Sequence, residues 1–176
     1  MSIVWKSTTN VFDVVEQVKT KYHPHLKDAT FAVAFDESKP FVKDRFNWGK
    51  VGKFSDFNKI WQTPKFDFSI ILCSDVWNDM LNASQQEALL DLHLCRCEVE
   101  YEQEVVIEGK KKIKVKDDLG RIKYTNVIKL DEEGNPKWRV APLDLDVLSK
   151  NIKHYVIWLD EFVQLKDTVV AAPINI

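Results

Sequence analysis

The sequence has no apolar run long enough to cross a membrane. A run such as residues 68–73 is far short of the ~18–20 residues that a span requires. The first residues lack the layout of a secretory signal peptide, so we expect a cytoplasmic protein with no membrane partner. Three cysteines, two of them two residues apart, argue against a disulfide framework and for a reducing compartment. A net charge of −2 excludes wholesale polyanion binding as the default.

Several catalytic signatures are also missing. There is no Gly-x-Ser-x-Gly nucleophile elbow and no Cys-x-x-Cys pair, and Gly49 with Gly52 does not form a phosphate-binding fingerprint. With 27 acids in 176 residues, no carboxylate pair stands out. The sequence therefore gives little support to nucleophilic catalysis or to phosphate binding by a glycine-rich loop.

Hydrophobic periodicity predicts one α+β domain over residues 1–176. Helices are predicted over residues 9–22, 84–100 and 144–165, and strands over residues 30–35 and 66–74. The first helix should end before Pro24, because proline disfavours a helical residue before it. The second should begin at a capping box of Ser84 and Glu87. Apolar residues cover nearly its whole circumference, which predicts the central buried helix.

The central helix carries the most concentrated group of chemically active side chains, in the segment 91–98. His93 and Cys97 lie one helical turn apart, the spacing that zinc binding from a helix requires. A zinc site would need one or two more ligands, and the other histidines are distant in sequence: His23, His25 and His154. The same residues also fit a buried helix with small apolar thiols, because free cysteine is commonly buried.

Two segments are candidates for binding surfaces. Residues 109–135 predict a projecting β-hairpin region with a basic first part, whose candidate binding side chains are Lys110, Lys111, Lys112, Lys114, Arg121 and Lys123. Such a hairpin fits nucleic-acid binding, but charge runs are usually solvated, and the acidic stretch 98–108 beside it can neutralise it. The aromatic and basic stretch 39–65 contains Trp48 and Trp61, which fit nucleotide stacking or, more commonly, core and interface roles.

The order of these signals resembles the putative phage metallopeptidase family, small zincin-like proteins found in phage genomes. The resemblance covers residues 10–100 and 136–162, and its features are a strand ending near Phe35, the segment 66–71, a turn at Trp77, the segment 84–91 and a late helix with Tyr155 and Trp158. It implies a zincin-like α+β domain with a central buried helix against a small mixed sheet. Inserted β-hairpins and a long C-terminal amphipathic helix complete the expected fold.

The resemblance also implies where a metal site would lie. In the family the central helix carries His-Glu-x-x-His, whose histidines bind zinc and whose glutamate activates the metal-bound water. Here the surrounding segments 89–91 and 94–97 match, but the motif positions hold Leu92, His93 and Arg96. The position of the third ligand, at the start of the late helix, holds Leu143. These four positions predict no catalytic residue, no metal ligand and no cofactor.

We therefore expect a catalytically inactive accessory protein that binds, and inhibits, a host protein or a defence nuclease complex. Two alternatives remain open. One is a metal-dependent peptidase or a zinc-binding protein that uses His93 and Cys97. The other is a nucleic-acid-binding module that uses the basic hairpin.

Overall fold

The computed structural model describes residues 4–6, 9–37, 41–42, 45–55, 65–108, 111–118 and 120–155. In this part of the chain the α-helices are α1 (Thr9–Tyr22), α2 (Ala83–Leu94) and α3 (Leu145–Tyr155). The strands are β1 (Val4–Lys6), β2 (Phe31–Asp36), β3 (Phe41–Val42), β4 (Arg45–Phe46), β5 (Lys50–Lys53), β6 (Phe68–Cys73), β7 (Cys97–Val99), β8 (Tyr101–Gln103), β9 (Val105–Glu108), β10 (Lys111–Lys114), β11 (Tyr124–Ile128) and β12 (Trp138–Val140). The α+β class predicted from the sequence is confirmed.

A small mixed sheet forms one side of the core. Its strand order is β1-β2-β6-β5, with β2 and β6 parallel and the other neighbours antiparallel. Burial alternates along β2 and β6, because successive strand residues point to opposite faces. The buried face carries Phe31, Val33, Phe35, Phe68, Ile70 and Leu72. The predicted strands at 30–35 and 66–74 are thus present, with ends one or two residues away.

Helix α2 is the central buried helix, as predicted, with every residue of the segment 88–94 buried. Its N-cap was predicted two residues late, at Ser84 instead of Asn82. The Asn82 side chain accepts a hydrogen bond from the Gln85 N–H, and the Gln85 side chain accepts one from the Asn82 N–H. This reciprocal pair forms the capping box instead of Ser84 with Glu87.

The end of α2 was predicted too late. The helix ends at Leu94, and residues 97–99 form β7 instead of a further helical turn. Strand β7 pairs antiparallel with β12, so that Cys97 lies opposite Val140 and Val99 opposite Trp138. A pairing with residues forty positions away decides the local structure, and helical periodicity does not contain that information.

Helices α1 and α3 pack on α2 and frame the region described below. The end of α1 at Tyr22, before Pro24, is confirmed. Helix α3 begins where predicted and is capped by Asp144, whose Oδ1 accepts the Val147 N–H at 3.1 Å. The predicted continuation of this helix to residue 165 lies outside the described residues. No helix in the described part is both long and apolar enough to span a membrane.

Strands β8 to β11 form two ribbons outside the main sheet. Strands β9 and β10 make an antiparallel hairpin, and β8 pairs with β11. All eight side chains of β9 and β10 are exposed. A two-stranded hairpin with no covered face contributes little to folding by itself, so this segment presents a surface and not a core.

Candidate functional site

Leu92 and Arg96 face the segment that leads into α3. Leu92 is 3% exposed and packs with Cys95 and Val147. Arg96 Nε donates to the Ala141 carbonyl oxygen at 3.0 Å, and the Ala141 N–H donates back to the Arg96 carbonyl oxygen at 2.7 Å. One face of the helix end therefore presents a leucine and a guanidinium group to the entry of α3.

The start of α3 holds the fourth motif position. Leu143 is 51% exposed. The next residue, Asp144, uses its carboxylate to cap the helix at Val147. Among the described residues, no hydrogen bond or ion pair joins Leu143 or the Asp144 carboxylate to Leu92 or Arg96.

His93 and Cys97, the pair suggested by helical spacing, are held by main-chain groups. His93 Nε2 donates to the Trp48 carbonyl oxygen at 3.1 Å, and the Cys97 thiol donates to the His93 carbonyl oxygen at 3.5 Å. Burial, reinforced by the positive charge of Arg96, lowers the pKa of His93 to about 4, so this imidazole is neutral near pH 7. Neither residue belongs to a group of three or more close metal-ligating side chains within the described ranges.

The basic binding candidates lie on the ribbons. Lys111, Lys112 and Lys114 are exposed on β10, and Lys123 is exposed before β11. Arg121 is paired with Asp117, with Nε and Oδ2 2.8 Å apart. Trp48 is half-buried against the core. Lys110 and Trp61 lie outside the described residues.

The structure brings together a different set of side chains around Asp91, which is completely buried. His23 Nε2 donates to Asp91 Oδ1 at 2.7 Å, and His154 Nδ1 donates to the same oxygen at 2.9 Å. Asn151 Nδ2 donates to Oδ2 at 2.7 Å, and the Cys95 thiol lies 3.6 Å from that oxygen. A carboxylate removed from water requires such donors, because burying it unpaired costs several kcal/mol (order of magnitude).

The backbone places these side chains from three elements. Asp91 and Cys95 are one helical turn apart at the end of α2, and Pro24 stops α1 so that His23 lies in the turn beyond it. The His154 ring on α3 stacks on Tyr22, with centroids 4.3 Å apart and planes at 13°. Whether the scattered histidines meet could not be read from the sequence, and the structure places the His23 ring 5.7 Å from the His154 ring.

A cavity of about 480 Å³ adjoins this cluster. His23, Cys95 and His154 line it on one side, and Arg139, Lys150 and Lys153 are among the residues of the other walls. Glu98 also lines the cavity and pairs with two of these cations, Arg139 at 2.7 Å and Lys150 at 3.4 Å. The cavity therefore connects solvent with three of the side chains around Asp91.

Comparison with protein-family models matches residues 3–155 to the family described as putative phage metallopeptidase. The match extends over well more than half of the sequence. The chain belongs to this family. No curated protein matches it, and no solved structure does. The resemblance drawn from the order of helices, strands and the central segment is thereby confirmed.

Membership in the phage metallopeptidase family implies a zinc ion at the helix motif, so the residues present there are tested against zinc. Leu92 has no ligand atom, and Arg96 carries a fixed positive charge that repels a cation. His93 directs one ring nitrogen at a carbonyl group. Zinc is held in proteins by thiolate, imidazole and carboxylate groups. The motif positions of this family member do not fit the ion.

Sequence reasoning missed the cluster around Asp91 although one signal was available. Asp91 is an acid within a helix whose neighbours are apolar all round, and such a buried acid requires partners. Its partners His23 and His154 lie 68 and 63 residues away in the chain, so helical spacing alone did not find them.

Proposed function

We propose that this member of the phage metallopeptidase family does not cleave peptides and acts by binding a host protein in the cytoplasm, as an inhibitor. The observation that carries the proposal is the packing of Leu92 and Arg96 against the segment 141–148. The motif positions still meet the start of α3, where the third ligand would be expected. The groups that face α3 there are the apolar side chain of Leu92 and the guanidinium group of Arg96.

Peptide hydrolysis by a zincin requires an open metal position and a base that activates the bound water. At the motif, Leu92 can supply neither, and His93 is buried with Nε2 engaged by the Trp48 carbonyl. The hydrogen bond from Arg96 Nε to the Ala141 carbonyl oxygen holds the guanidinium group, and its charge, at that position. The chemistry of these side chains supports a fold retained without its catalytic activity.

The β9–β10 hairpin is the surface best suited to binding a partner. Register places Ile107 opposite Lys112, and Val105 opposite Lys114, so one face combines two apolar and two basic side chains. Ile107 is 69% exposed, the largest value among the exposed apolar side chains of the described residues. A partner that covers this face should offer an apolar patch rimmed by acidic groups.

The opposite face of the hairpin provides a matched control. It carries Val106 opposite Ile113 and Glu108 opposite Lys111, so its lysine already faces an acid. The double variant Ile107→Asp/Lys112→Glu changes the first face, and Val106→Asp/Lys111→Glu replaces a β-branched apolar residue and a lysine in the same way on the second. Both variants alter the net charge equally. A difference in partner binding between them is therefore due to the face that is changed and not to the charge.

We expect affinity capture from a host lysate to recover one stoichiometric protein with the wild-type chain and with the control variant. The Ile107→Asp/Lys112→Glu variant should lose most of it, because two buried contacts at an interface centre are replaced by like-charge repulsion. Quantitative mass spectrometry of the captured proteins measures the ratio. Failure of the wild-type chain to retain any stoichiometric protein would count against the binding role.

Binding to nucleic acid through Lys111, Lys112 and Lys123 is the second candidate, favoured by their exposure on the ribbons. The same affinity capture distinguishes a nucleic-acid partner from a protein partner. A nucleic-acid partner disappears on nuclease treatment, and its affinity falls steeply with salt because bound counterions are released. A protein contact with an apolar centre survives the nuclease and depends less on salt.

A further inference from the structure

We propose that His23, Asp91, Cys95 and His154 form a transition-metal site, with Zn²⁺ as its ion, separate from the motif positions on the same helix. One ligand atom from each residue lies within 4.8 Å of every other. The site rests on side chains from the turn after α1, from the end of α2 and from α3. It does not depend on the proposed partner binding.

The donor set is that of zinc. Two imidazoles, one thiolate and one carboxylate give four ligands, the number that closes a tetrahedral structural site. Thiolate and imidazole select zinc over magnesium and calcium, which prefer oxygen ligands. With four protein ligands no position remains for a water molecule, so a metal held here stabilises the fold and leaves the proposed lack of peptidase activity unchanged.

Helix geometry and outer contacts position the ligands. Asp91 and Cys95 have the i, i+4 spacing that places two ligands on one side of a helix, and Leu92 projects about 100° further round. Asn151 Nδ2 holds Asp91 Oδ2 at 2.7 Å and also donates to the Ala88 carbonyl oxygen. Outer-shell hydrogen bonds of this kind orient ligating carboxylates.

Charge balance favours a divalent ion in this buried place. The Asp91 carboxylate and a Cys95 thiolate together carry two negative charges, which Zn²⁺ neutralises. Without a metal, burial raises the pKa of the Cys95 thiol, and the neighbouring Asp91 charge raises it further. Zinc binds the thiolate and unprotonated ring nitrogens, so binding releases the Cys95 proton and replaces the hydrogen bonds from His23 Nε2 and His154 Nδ1 to Asp91.

An ion can reach the site through the adjoining cavity of about 480 Å³, since His23, Cys95 and His154 all line it. Glu98 partly offsets the three cations in the cavity walls, Arg139, Lys150 and Lys153. Arg139 and Lys150 are both paired with Glu98, which leaves Lys153 as the cation of the lining without an ion pair among the described residues.

Zinc content and affinity of the purified full chain test the proposal. We expect about one zinc ion per chain by elemental analysis, and competition with a chromophoric chelator gives its affinity. Cys95→Ser should weaken Zn²⁺ binding by more than about 100-fold, beyond the 10–100-fold that loss of an outer-shell partner costs. The matched control Cys97→Ser removes a buried thiol two residues away and should leave the affinity within a few-fold.

A second pair of variants and a spectrum complete the test. His154→Ala should weaken binding as Cys95→Ser does, whereas His25→Ala changes a cavity histidine outside the cluster and should not. Co²⁺ bound to the wild-type chain should show a thiolate-to-cobalt charge-transfer band, a readout that stands even if a variant fails to fold. No metal binding by the folded wild-type chain, a cobalt complex without that band, or equal losses in Cys95→Ser and Cys97→Ser would overturn the proposal.

Discussion

Asp91→Ala is expected to lower the free energy of unfolding by about 3–5 kcal/mol, because it removes the acceptor of a buried charged network. His23, His154 and Asn151 would each lose the acceptor of a hydrogen bond, and the Asn151 donor would be left buried without one. Such a loss is a large share of the ~5–15 kcal/mol that typically separates folded from unfolded states. Urea unfolding in the presence of a chelator measures it without a contribution from metal.

Asp118→Ala is the control for this variant. Asp118 is exposed on the ribbon side of the molecule, so its removal should change stability by less than about 0.5 kcal/mol. If Asp91→Ala lowers the free energy of unfolding no more than Asp118→Ala does, the hydrogen bonds to Asp91 do not contribute to folding. The account of the buried cluster would then be wrong.

Gly49→Ala is expected to destabilise the fold by about 2–4 kcal/mol, as the sum of backbone strain and displacement of a core strand. Gly49 has φ +85°, a left-handed conformation that side chains rarely adopt. A Cβ atom there would overlap the Ile71 carbonyl oxygen and lie 2.9 Å from Leu72 Cα, both on β6. The adjacent Trp48 carbonyl accepts the His93 hydrogen bond, so the disturbance also reaches α2.

Gly134→Ala separates the two contributions. Gly134 has the same φ of +85°, but a Cβ there would meet no atom within 4 Å. We expect it to cost about 1 kcal/mol, the backbone strain alone. Thermal or urea unfolding of both variants measures the difference, and equal losses would show that the close approach to β6 does not matter.

Local patterns predicted the parts of the fold that local chemistry decides. The alternation in residues 30–35, the proline after Tyr22 and the apolar circumference of α2 each determine a conformation from neighbouring residues. The end of α2 could not be predicted in this way, because the pairing of β7 with β12 competes with the helix. The N-cap of α2 was predicted at the wrong residue because Asn82 with Gln85 forms a capping box as readily as Ser84 with Glu87.

The residues of the candidate site also differ in whether local sequence patterns predict them. The motif positions Leu92, His93 and Arg96 were predicted from the family resemblance, which assigns them by their place in the sequence. The cluster around Asp91 depends on how α1 and α3 pack against α2. Its histidines come from opposite ends of the chain, and only the tertiary structure shows that they meet.

Hydrolysis of a diverse peptide library, read by mass spectrometry, tests whether this protein lacks peptidase activity. The purified chain is incubated with and without equimolar zinc, beside an active metallopeptidase that proves the sensitivity of the assay. The account predicts no cleavage that depends on this protein, whatever its zinc content. Zinc-dependent cleavage that stops with a chelator and is absent from the Cys95→Ser variant would contradict it, and would make the Asp91 cluster a catalytic centre.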